Sequence, residues 1–383
     1  MKKMNFLKKI IGLVLTGSII VFAPSCGKKG CTDVNAPNYD PDAKKDDGSC
    51  EEVTLNDPYS KSGNITSNET WNKENIYTLN GKVIVDAGVT LTIEAGTIIK
   101  GAEGQETNAS ALIVAQGGKL MAQGTASEPI IFTTVLDNIK VGETVGTNLS
   151  KEDNGKWGGI IILGKAPISA ETGDVTATIE GLPANASYAV YGGSETNDNS
   201  GTLTYISIRH GGITIGADNE INGLTLGGVG SGTTIENIEV VSNQDDGIEF
   251  FGGTVNVTNA IVAFQGDDGI DIDQNYAGTV DNFVVIHGID TDEALEIDGP
   301  EGTTHTTGKF TLKNGSVWTI DDQGTGVDFK SKAQGTISNT WFKGYSGKVI
   351  KLRASFSDTL NCVMKTDALA NLTATTADLS FDN

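Results

Sequence analysis

From residue 245 onward, apolar and polar positions alternate in short runs that repeat. Five segments align: DDGIEFFGG at 245, DDGIDIDQN at 267, DEALEIDGP at 292, QGTGVDFKSK at 323 and GKVIKLRAS at 347. Measured at Ile248, Ile270, Leu295 and Val327, the spacings are 22, 25 and 32 residues, the extra residues falling in Gly/Thr-rich loops. Each segment is followed by a second alternating run: TVNVTNAIVAF, TVDNFVVIHG, GKFTLKNGSVWT and GTISNTWFKG. A turn–strand–turn–strand unit of about 22 residues, repeated in this way, predicts a β-solenoid.

Successive side chains on a strand point to opposite faces, so the alternation sorts them. Ile248, Ile270, Leu295, Val327 and Ile350 fall in one column, and Phe250, Ile272, Ile297, Phe329 and Leu352 in a second. All are apolar and are expected to stack into a continuous interior. Between them, Glu249, Asp271, Glu296, Asp328 and Lys351 are expected to point outward onto a solvated face, with Asp273 and Asp298 two residues along. The upstream half, from NGKVIVDAGVTLTIEAGTIIKG (80–101) through WGGIIILGKAPI and GTLTYISIRHGGI, continues the pattern less regularly. Room remains for about ten to twelve rungs over 76–356. The polar stretch 136–156 reads as a surface loop, and 357–383, which holds Cys362, as a cap on the last rung.

Composition agrees. Of 383 residues, 49 are Gly and 38% are hydrophobic, enough for a large core and too apolar for a disordered chain. Runs of Val, Ile and Thr broken by Gly, Asn and Asp place the chain in the all-β class.

The first residues stand apart from this pattern. MKKMNFLKK supplies a basic stretch and IIGLVLTGSIIVFA an apolar one of signal-peptide length, giving a leader over 1–25. The small residues before Cys26 resemble the bacterial lipobox, which implies lipidation of Cys26. Ala23 stands where Leu is usual, so plain secretion or a periplasmic location stays open. Removing the leader takes away four lysines and no acids, moving the formal charge from −22 to −26. Such a charge disfavours nucleic acids and anionic lipid surfaces and suits divalent cations. Membrane association is expected only through the lipid, at the outer membrane or cell surface.

A tether over 26–29 leads into GCTDVNAPNYDPDAKKDDGSCE, residues 30–51. In an oxidising compartment Cys31 and Cys50 are read as a disulfide. Asp33, Asn35, Asn38, Asp40, Asp42, Asp46 and Asp47 offer closely spaced oxygen ligands of the kind that hold Ca²⁺. The alternative is an acidic spacer without metal. The stretch resembles the thrombospondin type-3-like module of Bacteroidetes surface proteins, which implies a disulfide-closed, calcium-binding spacer. A linker over 52–75 is expected before the solenoid at 76–383.

The opening strand pattern, WGGIIILGKAPI and the DDGIEFFGG and GDDGIDIDQ rungs together resemble a family of bacterial surface lipoproteins with a pectin-lyase-like fold. The resemblance implies a single-stranded right-handed parallel β-helix and carries no catalytic residue with it.

Three kinds of chemistry are open to this repeat. Stacking places Glu249, Asp271, Glu296 and Asp328 about 4.8 Å apart, where like charges repel and raise one another's pKa unless a cation or solvent relieves them. Lys330, Lys351 and Arg353 at the column's end offer partial relief. A hydrolytic reading uses Asp246, Asp267 and Asp268 with His287, in an order that resembles polygalacturonase-type glycosidases, for which two carboxyls on adjacent rungs suffice. Gln244-Asp245-Asp246 replaces the expected Asn-Thr-Asp, and Ile286-His287-Gly288 the expected Gly-His-Gly. A lyase acting on acidic sugars needs cations, and only Arg209 and Arg353 are arginines. Third, Trp157, Tyr188, Tyr191, Tyr276, Trp318, Trp341 and Tyr345 offer stacking platforms for sugars, although most are expected inside. The reading favoured is a lipid-anchored surface β-helix that binds glycans or partner proteins without catalysis. A polysaccharide-active glycosidase or lyase is the alternative.

Overall fold

The computed structural model describes residues 28–32, 40–49, 58–104, 108–216, 219–320, 324–345 and 349–353, with the strands Val363–Thr366 and Ala374–Phe381. Cys26, Asp33, Asn35, Asn38, Cys50 and Cys362 lie outside the described residues. The chain divides into two units, Met1–Asp57 and Pro58–Asn383.

In the first unit, Lys29–Gly30 pairs in parallel with Lys45–Asp46, and Cys31 is buried. Asp40 and Asp42 are both engaged by the Lys28 ammonium, at 2.7 and 3.7 Å. Asp46 and Asp47 accept hydrogen bonds from the amides of Gly48 and Ser49. Among the described residues these four carboxylates do not converge on one point.

The second unit is a right-handed parallel β-helix. Its strands pair with the strand one turn of the coil away, and 23 of those described join in one sheet. One column of short strands climbs through Ala111–Val114, Ile160–Leu163, Leu224–Gly227, Ile248–Phe251, Ile270–Asp273, Leu295–Ile297, Val327–Phe329 and Ile350–Leu352. In the early rungs two further columns are separate, passing through Lys119–Gln123 and Ile130–Thr134. From Gly201–Arg209 onward they merge into one long strand per rung. The expected linker over 52–75 differs from this: Ser60–Ile65 and Glu69–Trp71 are strands of the coil, and Trp71 is buried in the core.

The two apolar columns stack in register, Ile248 on Ile270 on Leu295 and Phe250 on Ile272 on Ile297 on Phe329. These side chains are inaccessible to solvent. The interior thins at the last rung, where Leu352 is 46% exposed because no further short strand stacks upon it among the described residues. The strand Ala374–Phe381 instead covers the edge of Gly335–Lys343 in antiparallel pairing.

Each long strand bends at one residue held in the left-handed region. Tyr205, Asn237, Asn259, Asn282, Asn314 and Asn339 occupy this position, with φ between 46° and 60°. Asparagine tolerates that conformation better than a β-branched residue does, because its short polar side chain can bond locally. Here the amides also bond to one another: Asn259 donates to Asn237 at 2.9 Å, Asn282 to Asn259 at 2.7 Å, and Asn339 to Asn314 at 2.7 Å.

The asparagine column makes a direct prediction. Asn259→Val loses two side-chain hydrogen bonds and strains the bend, about 2–4 kcal/mol in total. Asn259→Gly loses only the bonds, about 1–2 kcal/mol. Denaturant unfolding followed by circular dichroism checks this, and equal losses in the two variants contradict it.

Candidate functional site

The acidic residues sit where each turn passes into a short strand. At the turn, a side chain on Gly247 would meet Val262 Cγ1 at 2.3 Å, and one on Gly269 would meet the Ala294 carbonyl at 2.5 Å, so both positions require glycine. The carboxylate just before each glycine ties one turn to the next. Asp246 Oδ1 accepts the Asp268 amide at 2.8 Å, and Asp268 Oδ1 accepts the Glu293 amide at 2.7 Å. These acids have a structural task on every turn they occupy. Asp245 lies beside Asp246, and Asp267, the exposed member of its pair, lies beside Asp268.

One step along each strand, Glu249, Asp271, Glu296 and Asp328 stack in register. They point away from the apolar interior, yet they are not solvated: their exposures are 5%, 9%, 7% and 0%. The expected solvated face is therefore corrected. A segment between the strands Ile160–Leu163 and Gly201–Arg209 accounts for much of the change. Its Ile168, Ala170, Ile179, Leu182, Ala189 and Tyr191 pack as a second apolar cluster against the outward residues Ala111, Ile113, Ile161, Leu163 and Phe251. Tyr191 donates to Gln274 Oε1 at 3.0 Å, and the Ser169 amide donates to the Gln274 carbonyl, pinning the segment across the rungs that carry Glu249 and Asp271. Sequence reading missed this cover. Its signal is the 64-residue spacing from Ile160 to Leu224, which are neighbours in one column.

The turn acids and the strand acids form one continuous band. Ligand oxygens of Asp246, Glu249 and Asp271 lie within 4.8 Å of one another, as do those of Asp268, Asp271 and Glu296, and of Asp245, Asp246 and Asp267. Positive charge reaches only part of it. Lys330 pairs with Glu296, Lys351 bridges Glu293 and Asp328 at 2.8 Å each, and Arg353 contacts Asp328 at 2.9 Å. Among the described residues no lysine or arginine forms an ion pair with Asp246, Glu249, Asp268 or Asp271.

Burial, and then the neighbouring carboxylates, push the carboxyls of Asp246, Glu249, Asp268 and Asp271 well above the usual carboxylate range. At the edges of the band burial also raises Asp245 to about 8, Asp298 to about 7 and Asp273 to about 6, the last held down in part by Lys330. Asn222 donates to Glu249, while Asp271 Oδ1 is buried without a hydrogen-bond partner.

Of the residues expected for hydrolysis, Asp246, Asp267 and Asp268 do come together at neighbouring turns, but His287 is not available to a substrate. It is fully buried, with one ring nitrogen 2.9 Å from the Tyr345 hydroxyl and the other 2.5 Å from the Thr291 carbonyl. The aromatics divide likewise. Trp157, Tyr191, Tyr276 and Tyr345 are buried, and Tyr188 packs beside the second apolar cluster. Trp318 and Trp341, 43% and 38% exposed, stand on the outer face of the long strands. The Lys343 ammonium lies 5.4 and 5.6 Å from their ring centres. Further along that face, Tyr205, Ser207, Arg209, Glu239, Ile261 and Val284 line an open groove of about 370 Å³.

The coil accords with the comparison against known families. A family model described as a pectate-lyase like beta helix domain matches residues 63–381, and the chain belongs to that family. Among solved structures, an alginate lyase from Paenibacillus sp. str. FPU-7 is similar at 10% identity, covering 70% of this chain and 93% of that one with a TM-score of 0.28. At that score the likeness lends no weight to any assignment of activity. No curated protein matches the chain.

The buried band gives stability a definite pH dependence. A carboxyl whose folded pKa exceeds its unfolded value holds its proton more tightly when folded. Its contribution is complete below the unfolded pKa and is lost as pH rises through the folded value. Asp273, Asp298 and Asp245, raised from 3.8 to about 6, 7 and 8, set that window. In chelator, the melting temperature is expected to fall steadily between about pH 4 and pH 8. A chelated protein that gains stability over this range contradicts the assignment.

Proposed function

We propose that this protein is an exported, lipid-anchored β-helix whose role is polysaccharide-related, binding glycans at the surface without cleaving them. The observation that carries this reading is the contrast between its two faces. The acids that a glycosidase or lyase would use are largely covered, and the histidine is enclosed in the core. The outer face of the long strands is open and carries Trp318 and Trp341, with the Lys343 ammonium near both rings. Exposed aromatic rings flanked by polar groups suit the apolar faces of sugars with hydroxyls bonded at the rim. Exposed Ile261, on the same outer face, adds an apolar side chain to the groove further along. The pectate-lyase like family is consistent with a polysaccharide partner. A surface protein is the second partner class this face accommodates.

The basic and apolar leader followed by Cys26 supports export and lipidation, and Cys31 with Cys50 is proposed to close the short module after it. On this reading the binding face belongs to a protein of the outer membrane or cell surface, with the lipid as its membrane attachment.

A panel of neutral and acidic polysaccharides, scored for both binding and product release, tests the reading. The expected outcome is binding without release of shortened products. Trp318→Ala combined with Trp341→Ala is expected to weaken binding about 10-fold or more, or about 1.4 kcal/mol, while Asp267→Asn leaves it unchanged. Product release that disappears in Asp267→Asn supports the enzymatic alternative instead.

A further inference from the structure

The acidic band is neutralised unevenly, and the unevenness points to a ligand. In the Asp268–Asp271–Glu296 group, the Lys330 ammonium pairs with Glu296. Two rungs on, Lys351 and Arg353 do the same for Glu293 and Asp328. The residues that stack on Lys330 in the two rungs above are Asp298 and Asp273, and Glu249 and Asp271 stack on the line that ends in Lys351. The upper rungs thus carry acid where the lower rungs carry base. The Asp246–Glu249–Asp271 group keeps three carboxylates together without an ion-pairing side chain among the described residues. Asp271 is 9% exposed, and its Oδ1 has no hydrogen-bond partner.

We propose that Asp246, Glu249 and Asp271 hold a divalent cation of calcium size, enclosed between the short strands Ile248–Phe251 and Ile270–Asp273 and the segment that crosses them. Their oxygens lie within 4.8 Å of one another, which matches two calcium–oxygen distances of about 2.3–2.6 Å meeting at one ion. An oxygen-only donor set selects a hard cation over zinc or copper. Two of the three ligands are already oriented, Asp246 by the Asp268 amide and Glu249 by the Asn222 side chain. The ion takes the place that Lys330 takes one rung below, and it ties two rungs of the coil to each other. This site is separate from the glycan face and does not depend on it.

The full chain, stripped with EDTA and titrated with calcium chloride by calorimetry, tests the proposal alongside thermal melts with and without calcium. Wild type is expected to bind calcium and to melt higher with it. Asp271→Asn is expected to lose this binding event, or at least about 10-fold in affinity, together with the rise in melting temperature. In EDTA the variant should melt at or above wild type, because an amide is neutral there without needing a proton or a cation. Calcium held by residues 30–51 would persist in the variant and is counted separately by stoichiometry. If Asp271→Asn does not fold, Glu249→Gln is read in its place with the same expectations. Either variant, folded and keeping both the wild-type stoichiometry and the wild-type calcium-induced rise, overturns the proposal. So does a wild-type protein that melts identically in calcium and EDTA.

Discussion

Parallel stacking in register sets a residue of one rung directly on its equivalent in the next, about 4.8 Å away. Whatever a position holds, it holds repeatedly and in contact. Apolar positions become the continuous interior of Ile248, Ile270, Leu295 and Val327. Asparagines at the bend bond amide to amide in a left-handed conformation that a branched side chain would resist. Acids become a ladder of like charges. The first two arrangements stabilise the coil by repetition; the third works against it, and the protein must offset that charge.

The offset is conditioned by the segment between Ile160–Leu163 and Gly201–Arg209. Left in water, a carboxylate ladder would be screened by the high dielectric, each neighbouring pair repelling by only about 1 kcal/mol. Covered by Ile168, Tyr191 and their neighbours, it loses that screening and its groups shift toward the protonated form. Lys330, Lys351 and Arg353 neutralise the lower rungs. The upper rungs lack such a cation among the described residues, and this is why that edge of the helix is expected to respond to pH, while Trp318 and Trp341 stand exposed on the outer face of the long strands.

Much of this was legible in the amino-acid sequence because register follows from alternation. The columns led by Ile248 and Phe250, and the line of Glu249, Asp271, Glu296 and Asp328, could be placed by counting alone. Burial of that line could not, since its cover comes from residues that follow no repeat and precede the ladder by some fifty positions or more. His287 was read as a site residue from its neighbours in order, whereas packing turns it toward Tyr345 and Thr291. The asparagine column was present in the repeats at 237, 259, 282, 314 and 339. It carries no hydrophobic signal, and alternation counts passed over it. The strands at Ser60–Ile65 and Glu69–Trp71 are short and largely polar, which is why they read as linker.

At the proposed site protons and calcium would compete for the same enclosed carboxylates, and infrared spectroscopy would observe that competition directly. The calcium-free protein at neutral pH is expected to show the carbonyl stretch of protonated carboxylic acids, shielded from rapid exchange with solvent. Adding calcium should abolish part of that signal and release protons, because the ligands must ionise to bind. A calcium-free protein with no protonated carboxyl signal at neutral pH, and no proton release on adding calcium, would contradict the account of a buried band in need of neutralisation.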